Sequence, residues 1–461
     1  MWLTYKLLPT LLLSVVAVQA QSSTASKGPT ASTSFAPEFT VPDSVNFGKS
    51  LLPNIYDPKA PNAQNRCPGY RANDVQTSSS GLTAHLTLAG QPCNVYGIDI
   101  IDLDLVVEYQ TDSRLHISIQ PSHVSPQNTS WYLLPSELVP EPSQEEGSSS
   151  SSDLTFSWAH SQSSGFGFNV TRNSTGEVLF STTGTRLVFE NQFIELVTHQ
   201  PENYNLYGLG EVIHALRLGN NFTRTIYAAD VGDPIDRNLY GSHPFYLQTS
   251  YYEQSSGGES TLVTESLNSS SANGNYTSSS SGVYLRNAHG MEVLMNSRNV
   301  TWRTIGGSLD LYFFSGPTQP EVTKQYLDVI GYPALQQYWT FGFHQCRWGY
   351  QNWTVTEGIV NAYESFGIPL EVIWNDIDYM LQYRDFANDP VRFGYEEGQS
   401  FLQRLHDSGR HYIPIIDAAI YRPDPNNATD AYQTYDDGVG SYLLNPDGSQ
   451  YIGAVWPGYT V

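Results

Sequence analysis

The 461 residues carry 45 acidic against 22 basic side chains, a net charge of −23. That balance excludes nucleic acid and anionic membranes as partners, since both demand basic patches. One hydrophobic core seldom grows past roughly 250–300 residues, so two or three domains are expected. Three scattered cysteines exclude a disulfide scaffold and a thiolate zinc site. Aromatics reach 13%, with 31 Tyr and 9 Trp. Rings in such number suit either stacking on sugar faces or ordinary strand positions in a β-rich domain.

Residues 1–20 place Lys6 before an apolar run and end on Val18-Gln19-Ala20, the pattern of a secretory signal peptide cut after Ala20. No other run reaches the roughly 20 apolar residues of a membrane anchor, so a secreted, extracellular protein is expected. Residues 21–60 read as a flexible leader. Its first part, Gln21 to Phe35, is nearly uncharged Ser, Thr, Ala and Gly, a composition open to O-glycosylation. Acceptor triplets for N-glycosylation stand at Asn128, Asn169, Asn173, Asn221, Asn268, Asn275, Asn299, Asn352 and Asn427. Cys67 and Cys93 flank a short β-like stretch and are placed to pair, leaving Cys346 in a run that reads as a buried strand.

From 61 to 315 short alternating runs recur, among them Leu82 to Leu88, Leu115 to Ile119, Phe166 to Val170, Val283 to Met295 and Leu309 to Phe314. Period-two patterning between Gly, Asn and Ser turns predicts an antiparallel β-sandwich. The low-complexity stretches Gly147–Asp153 and Asn268–Gly282 are expected to be exposed loops, the second open to proteolytic nicking. Residues 316–332 predict a connecting helix with Val322, Tyr326 and Val329 on one face, ending at Gly331.

Residues 333–461 have a different rhythm. Three apolar runs, within Gly342–Tyr350, Ile373–Met380 and Tyr412–Asp417, are separated by helical patterns of crossover length. The first helix is expected to bury Val355, Ile359, Ala362 and Phe366 and to end at Gly367. The second should bury Phe401, Leu402 and Leu405 and end at Gly409. This predicts the first three β/α units of a truncated (β/α)8 barrel, in which strand ends face the site. Pro414 counts against a central strand, because it lacks a ladder N–H.

Asp376 and Asp378 lie two apart on an expected strand end, so both carboxylates should project from one face. Ligands to sugar hydroxyls, an Asp-x-Asp metal pair and a structural turn all remain open readings. Trp348 and Trp456 sit at expected strand ends, where two rings favour a stacking wall over simple core. Asp417 ends the third strand, a place where a carboxylate needs a partner. Asp230, in the loop Ala228–Asn238, reads as ordinary turn chemistry. No metal or cofactor is indicated.

The runs Tyr207-GLGE, Asn238-LYGSHPFYL, Gly342-FHQCRWGY, Ile373-WNDIDYM, Ile415-IDAAI and Gly453-AVWPGYT, in that order, resemble glycoside hydrolase family 31, its secreted fungal α-glucosidase (maltase) branch above all. The resemblance implies a galactose-mutarotase-like β-sandwich followed by a (β/α)8 barrel. It implies that Asp376 binds hydroxyls of the non-reducing glucose, with Ile377 and Ile415 lining the pocket and Trp348 and Trp456 walling it. Asp230 would reach the sugar from a sandwich loop, and Asp417 would stand in the pocket's second rank.

The implied reaction is retaining exo-hydrolysis of terminal α-1,4-linked glucose from maltose, malto-oligosaccharides and starch, with transfer to another sugar as a side reaction. The family's nucleophile lies in a run resembling W-x-D-M-x-E on a later strand, and this sequence holds no such run. Nucleophile and acid/base are therefore expected beyond Val461, and the remainder of the same enzyme is the expected partner. A sister activity such as α-xylosidase or α-glucan lyase, and a non-catalytic carbohydrate-binding remnant, are the alternatives.

Overall fold

The structure, a computed structural model, describes residues 60–123, 139, 141–142, 151–161, 165–228, 234–264, 274–445 and 447–461. The expected signal peptide, nearly all of the leader, Asn128, Asp230 and Asn268 lie outside the described residues. The chain divides into two compact units at the Pro333–Ala334 boundary.

The first unit is built from antiparallel sheets. Among the described residues, one sheet runs in the spatial order Tyr70–Thr77, Gly81–Leu88, Asp102–Thr111, Arg114–Pro121, Leu309–Phe314, Tyr276–Leu285, Phe245–Gln254 and Leu206–Gly208, with Ser260–Leu262 paired to Phe245–Gln254. A second holds Phe222–Ile226, Met291–Met295, Asn299–Thr304, Phe193–His199 and Val188–Glu190. A third holds Leu154–Ser161, Gly165–Arg172 and Val178–Ser181. One apolar core draws on all three: Leu103, Leu105 and Val107 alternate into it, as do Leu115, Ile117 and Ile119, against Phe168, Val293 and Trp302. The period-two pattern fixes this registry, because a one-residue slip would turn each set to the wrong face.

Two sequence expectations need correction. The run Val283–Met295 is divided between sheets: Tyr276–Leu285 pairs with Phe245–Gln254, and Met291–Met295 pairs with Phe222–Ile226 and Asn299–Thr304. Nor is Asn268–Gly282 a loop throughout, since Tyr276–Gly282 is strand. Its serines fit a sheet because they are tied to a buried arginine. Arg172 donates to Ser279 Oγ at 2.5 Å, to the Ser280 carbonyl at 2.6 Å and to the Ser315 carbonyl at 2.7 Å, and it pairs with Glu177 at 2.5 Å. Of the stretch Gly147–Asp153, Ser151–Asp153 are described, and Ser152 is buried, its hydroxyl accepting from the Leu154 N–H.

The helix Gln319–Ile330 follows the expected face. Val322 and Tyr326 are buried and Val329 packs with them on Leu247, Tyr312 and Phe314. Thr318 and Glu321 cap each other's backbone N–H groups, and Gly331 takes φ 89° at the exit, a conformation that favours glycine.

The second unit carries three parallel strands, His344–Gln345, Val372–Asn375 and His411–Pro414, in that spatial order. Helices Trp353–Ser365 and Tyr395–Asp407 join them. Gly367 and Gly409, both at positive φ, close these helices. After each, paired backbone bonds recapture the last carbonyls: Gly367 to Glu364 and Ile368 to Tyr363, then Gly409 to His406 and Arg410 to Leu405.

The second helix buries Phe401 and Leu405 as expected, but the first buries Trp353, Thr356 and Val360. Val355 and Phe366 are exposed and Ile359 and Ala362 only partly covered. The true stripe passes through a polar residue: Thr356 Oγ1 and the buried Asn375 side chain hydrogen-bond each other, so counting only apolar spacing selected the neighbouring face. Pro414 is tolerated for a simple reason. His411 and Ile415 donate to Glu371 and Asn375, so the alternate residues, Pro414 among them, point their backbone nitrogens away from the middle strand.

The chain's last described segment is not a fourth parallel strand. Gly453–Val455 and Gly458–Thr460 pair as an antiparallel hairpin with Trp456-Pro457 at its turn.

Candidate functional site

The middle strand ends at Asn375, one residue before the acidic pair, and Ile377–Tyr379 forms a turn of 3-10 helix. Asp376 and Asp378 therefore do not share a strand face. Asp376 caps the turn, its Oδ1 accepting the Ile377 N–H at 2.7 Å. Asp378 turns inward: it is buried, and its Oδ2 accepts the Gly349 N–H at 2.7 Å. Burial pushes the Asp378 carboxyl up, the Gly349 bond opposes this, and the negative charge of Asp376 adds to the rise.

The end of the first strand is thereby drawn to the end of the second. Cys346, expected to be buried, is exposed, because the strand stops at Gln345. Desolvation and the nearby charge of Asp376 push its thiol up. Trp348 stands 66% exposed in the same turn. Ile377, by contrast, is buried against Tyr350, Tyr379 and Phe401.

The third strand end is fastened from the same 3-10 segment. Tyr379 donates its hydroxyl to the Ile415 carbonyl at 2.7 Å, and the Asp417 N–H donates to Asp385 Oδ1 at 3.0 Å. Asp385 is itself buried; desolvation pushes its carboxyl up, and the Asp417 charge adds to this against the backbone bond. Tyr432 anchors the loop by donating to the Asp385 carbonyl at 2.5 Å. Trp348, Asp376, Ile377, Ile415 and Asp417 thus lie on three neighbouring strand ends. Trp456, 61% exposed, sits on the hairpin that bonds to the segment after the third strand through Ile420–Val461 and Arg422–Tyr459.

Sequence reasoning missed Asp385 and Gly349, and the residue pattern put Asp376 and Asp378 on one face, only the resemblance singling out Asp376. The usable signal was Gly349 beside an aromatic, now seen at φ 111°. The motifs Tyr207-GLGE and Asn238-LYGSHPFYL are bonded to each other: the buried Asn238 amide donates to the carbonyls of Glu211, Leu239 and Gly241. Cys67 and Cys93 form a disulfide with Cα atoms 4.9 Å apart. Both sulfurs lie near Glu190, but bonded to each other they are not thiolate ligands for a metal.

Residues 333–461 match the family described as the glycosyl hydrolases family 31 TIM-barrel domain. The chain is 54% identical over 98% of its length to an α-glucosidase of Aspergillus oryzae, covering 46% of that protein. It is 56% identical over 92% of its length to an α-glucosidase of Aspergillus niger, covering 43%. The chain therefore spans about half the length of the curated relatives it matches. Among solved structures, the glucosidase II α subunit bound to DNJ aligns over 86% of this chain and 47% of its own, with TM-score 0.65 and 17% identity. An α-1,4-glucan lyase of Gracilariopsis lemaneiformis aligns over 85% and 46%, with TM-score 0.58 and 14% identity. These two likenesses speak to fold alone. Residues 333–461 thus carry a glycosyl hydrolase family 31 barrel segment, and more than nine-tenths of the chain aligns with relatives named α-glucosidase.

Proposed function

We propose that this chain supplies the sugar-holding front of a retaining exo-α-glucosidase that acts on maltose, malto-oligosaccharides and starch ends. The observation that carries the reading is the convergence of Trp348, Asp376, Ile377 and Ile415 on adjacent ends of parallel strands. High identity to relatives named α-glucosidase supports it. Asp376 keeps one oxygen on its own turn and offers Oδ2 to the hydroxyls of the non-reducing glucose. Ile415 lines the ring's apolar edge with Ile377 packed in the core, Trp348 and Trp456 wall it, and Asp417 supports the pocket from beyond the end of the third strand. We read the first unit as a galactose-mutarotase-like sandwich.

Hydrolysis with retention uses two carboxyls about 5–5.5 Å apart, one as nucleophile and one as acid then base. Neither role is assigned to a residue named here; the chain's own groups bind and orient the sugar. The signal-like residues 1–20 support export. The relatives named α-glucosidase favour hydrolysis over the lyase reaction, for which only fold likeness speaks.

The test is Asp376→Ala in the full-length protein. Turnover of maltose should fall at least about 10²-fold, as loss of a positioning contact on the reacting sugar does, with the thermal transition unchanged. Near-normal turnover would refute the assignment.

A further inference from the structure

We propose that Asp378 is a positioning residue that fixes the Trp348 wall against Asp376, rather than a second ligand to the sugar. The proposal rests on the reading of Trp348 and Asp376 as sugar-contacting groups.

Three observations carry it. First, Asp378 is buried, and its Oδ2 is committed to the Gly349 N–H at 2.7 Å, so that oxygen is turned from the strand-end surface into the protein. Second, Trp348 precedes Gly349 directly and is 66% exposed. Its backbone is what places the indole, and Gly349, at φ 111°, takes a path that a side chain would resist. Third, Asp378 stands one residue after Ile377, whose N–H is held by Asp376. A single 3-10 turn therefore carries the proposed sugar ligand at one residue and the brace for the proposed aromatic wall two residues later.

A carboxylate suits this task better than a packed apolar residue. A charge-assisted bond to a backbone N–H is short and directional, so it sets the distance between two strand ends that have few ladder bonds to do so. The first strand is only His344–Gln345, and its ladder ends before the turn begins. Without the brace, the Cys346–Gly349 turn would be free to shift the indole, and a displacement near 1 Å in a substrate-holding group is enough to cost about 10²-fold.

The experiment is a double-mutant cycle in the full-length protein, with maltose as substrate: Trp348→Ala, Asp378→Leu and the pair, plus Asp378→Asn, which keeps a carbonyl oxygen to accept the Gly349 N–H. Each variant is checked by its thermal transition. If Asp378→Leu does not fold, Asp378→Ser, which loses the reach without adding apolar bulk, replaces it.

Trp348→Ala should raise KM about tenfold. Asp378→Leu should raise KM comparably with a smaller change in kcat, the double variant should be little worse than either single, and Asp378→Asn should restore most of the loss. Multiplying effects, or Asn no better than Leu, would overturn the positioning role while leaving the sugar site standing. No change in KM for Trp348→Ala would overturn both, since Trp348 would then not touch the sugar.

Discussion

Buried between Glu108 Oε2 at 3.0 Å and Asp310 Oδ1 at 2.5 Å, His116 has a carboxylate on each ring nitrogen. Burial alone would push its pKa down, but the bonds to Asp310 and Glu108 overcome this and raise it to about 9. Arg286 binds the other oxygen of Asp310 at 2.5 Å, so a charged chain runs along the sheet face opposite the main core. A folded-state pKa above the unfolded value of 6.5 gives stability that is full below about pH 6.5 and is lost as pH rises through about 9. The contribution is on the order of 3 kcal/mol. Urea titrations at stepped pH should show stability of the first unit falling over that window, and His116→Gln should flatten the slope; an unchanged slope would refute the assignment. The alternation around Leu115, Ile117 and Ile119 was legible in the sequence. The partners of His116 were not, because Asp310 is 194 residues away and no local pattern links them.

At the scale of elements, helices and strands were read correctly wherever apolar spacing and caps agreed. Gly331, Gly367 and Gly409 end their helices as expected because each takes positive φ. Errors arose where polar residues do the packing. Thr356 turns the first crossover helix toward Asn375, and Ser279 and Ser280 belong to a strand because Arg172 holds them. Arg172 tests this directly: replacing it with Met would take the guanidinium from the Ser280 and Ser315 carbonyls and leave the Glu177 carboxylate with the Ser250 hydroxyl but no cation. The expected loss is about 3–5 kcal/mol, read as a lower urea midpoint; a loss below about 1 kcal/mol would contradict the role. Thr318→Ala should cost about 1 kcal/mol by removing the capping box of the helix Gln319–Ile330, measured the same way.

For the whole molecule, two compact units part at residues 333–334 and three parallel strands follow in chain order, where the sequence itself changes from period-two runs to strand–helix alternation. The site was legible only in part. Strand ends marked Trp348, Asp376, Ile377 and Ile415, but the bonds that gather them, from Asp378, Tyr379 and Asp385, depend on turns that follow the strands and show no period. Trp456 lies on a hairpin turn, a placement that its aromatic neighbours did not reveal.

The central claim, that these strand ends hold the glucose of an α-glucoside cleaved with retention, is tested most directly by following maltose digestion by the full-length protein with proton NMR at early times. The account predicts that the glucose released from the non-reducing end appears first as the α-anomer and only later mutarotates. Release of the non-reducing-end glucose as the β-anomer, seen as β-glucose in excess of what the already mutarotated reducing end supplies, or no hydrolysis of maltose by the folded full-length protein, would contradict it.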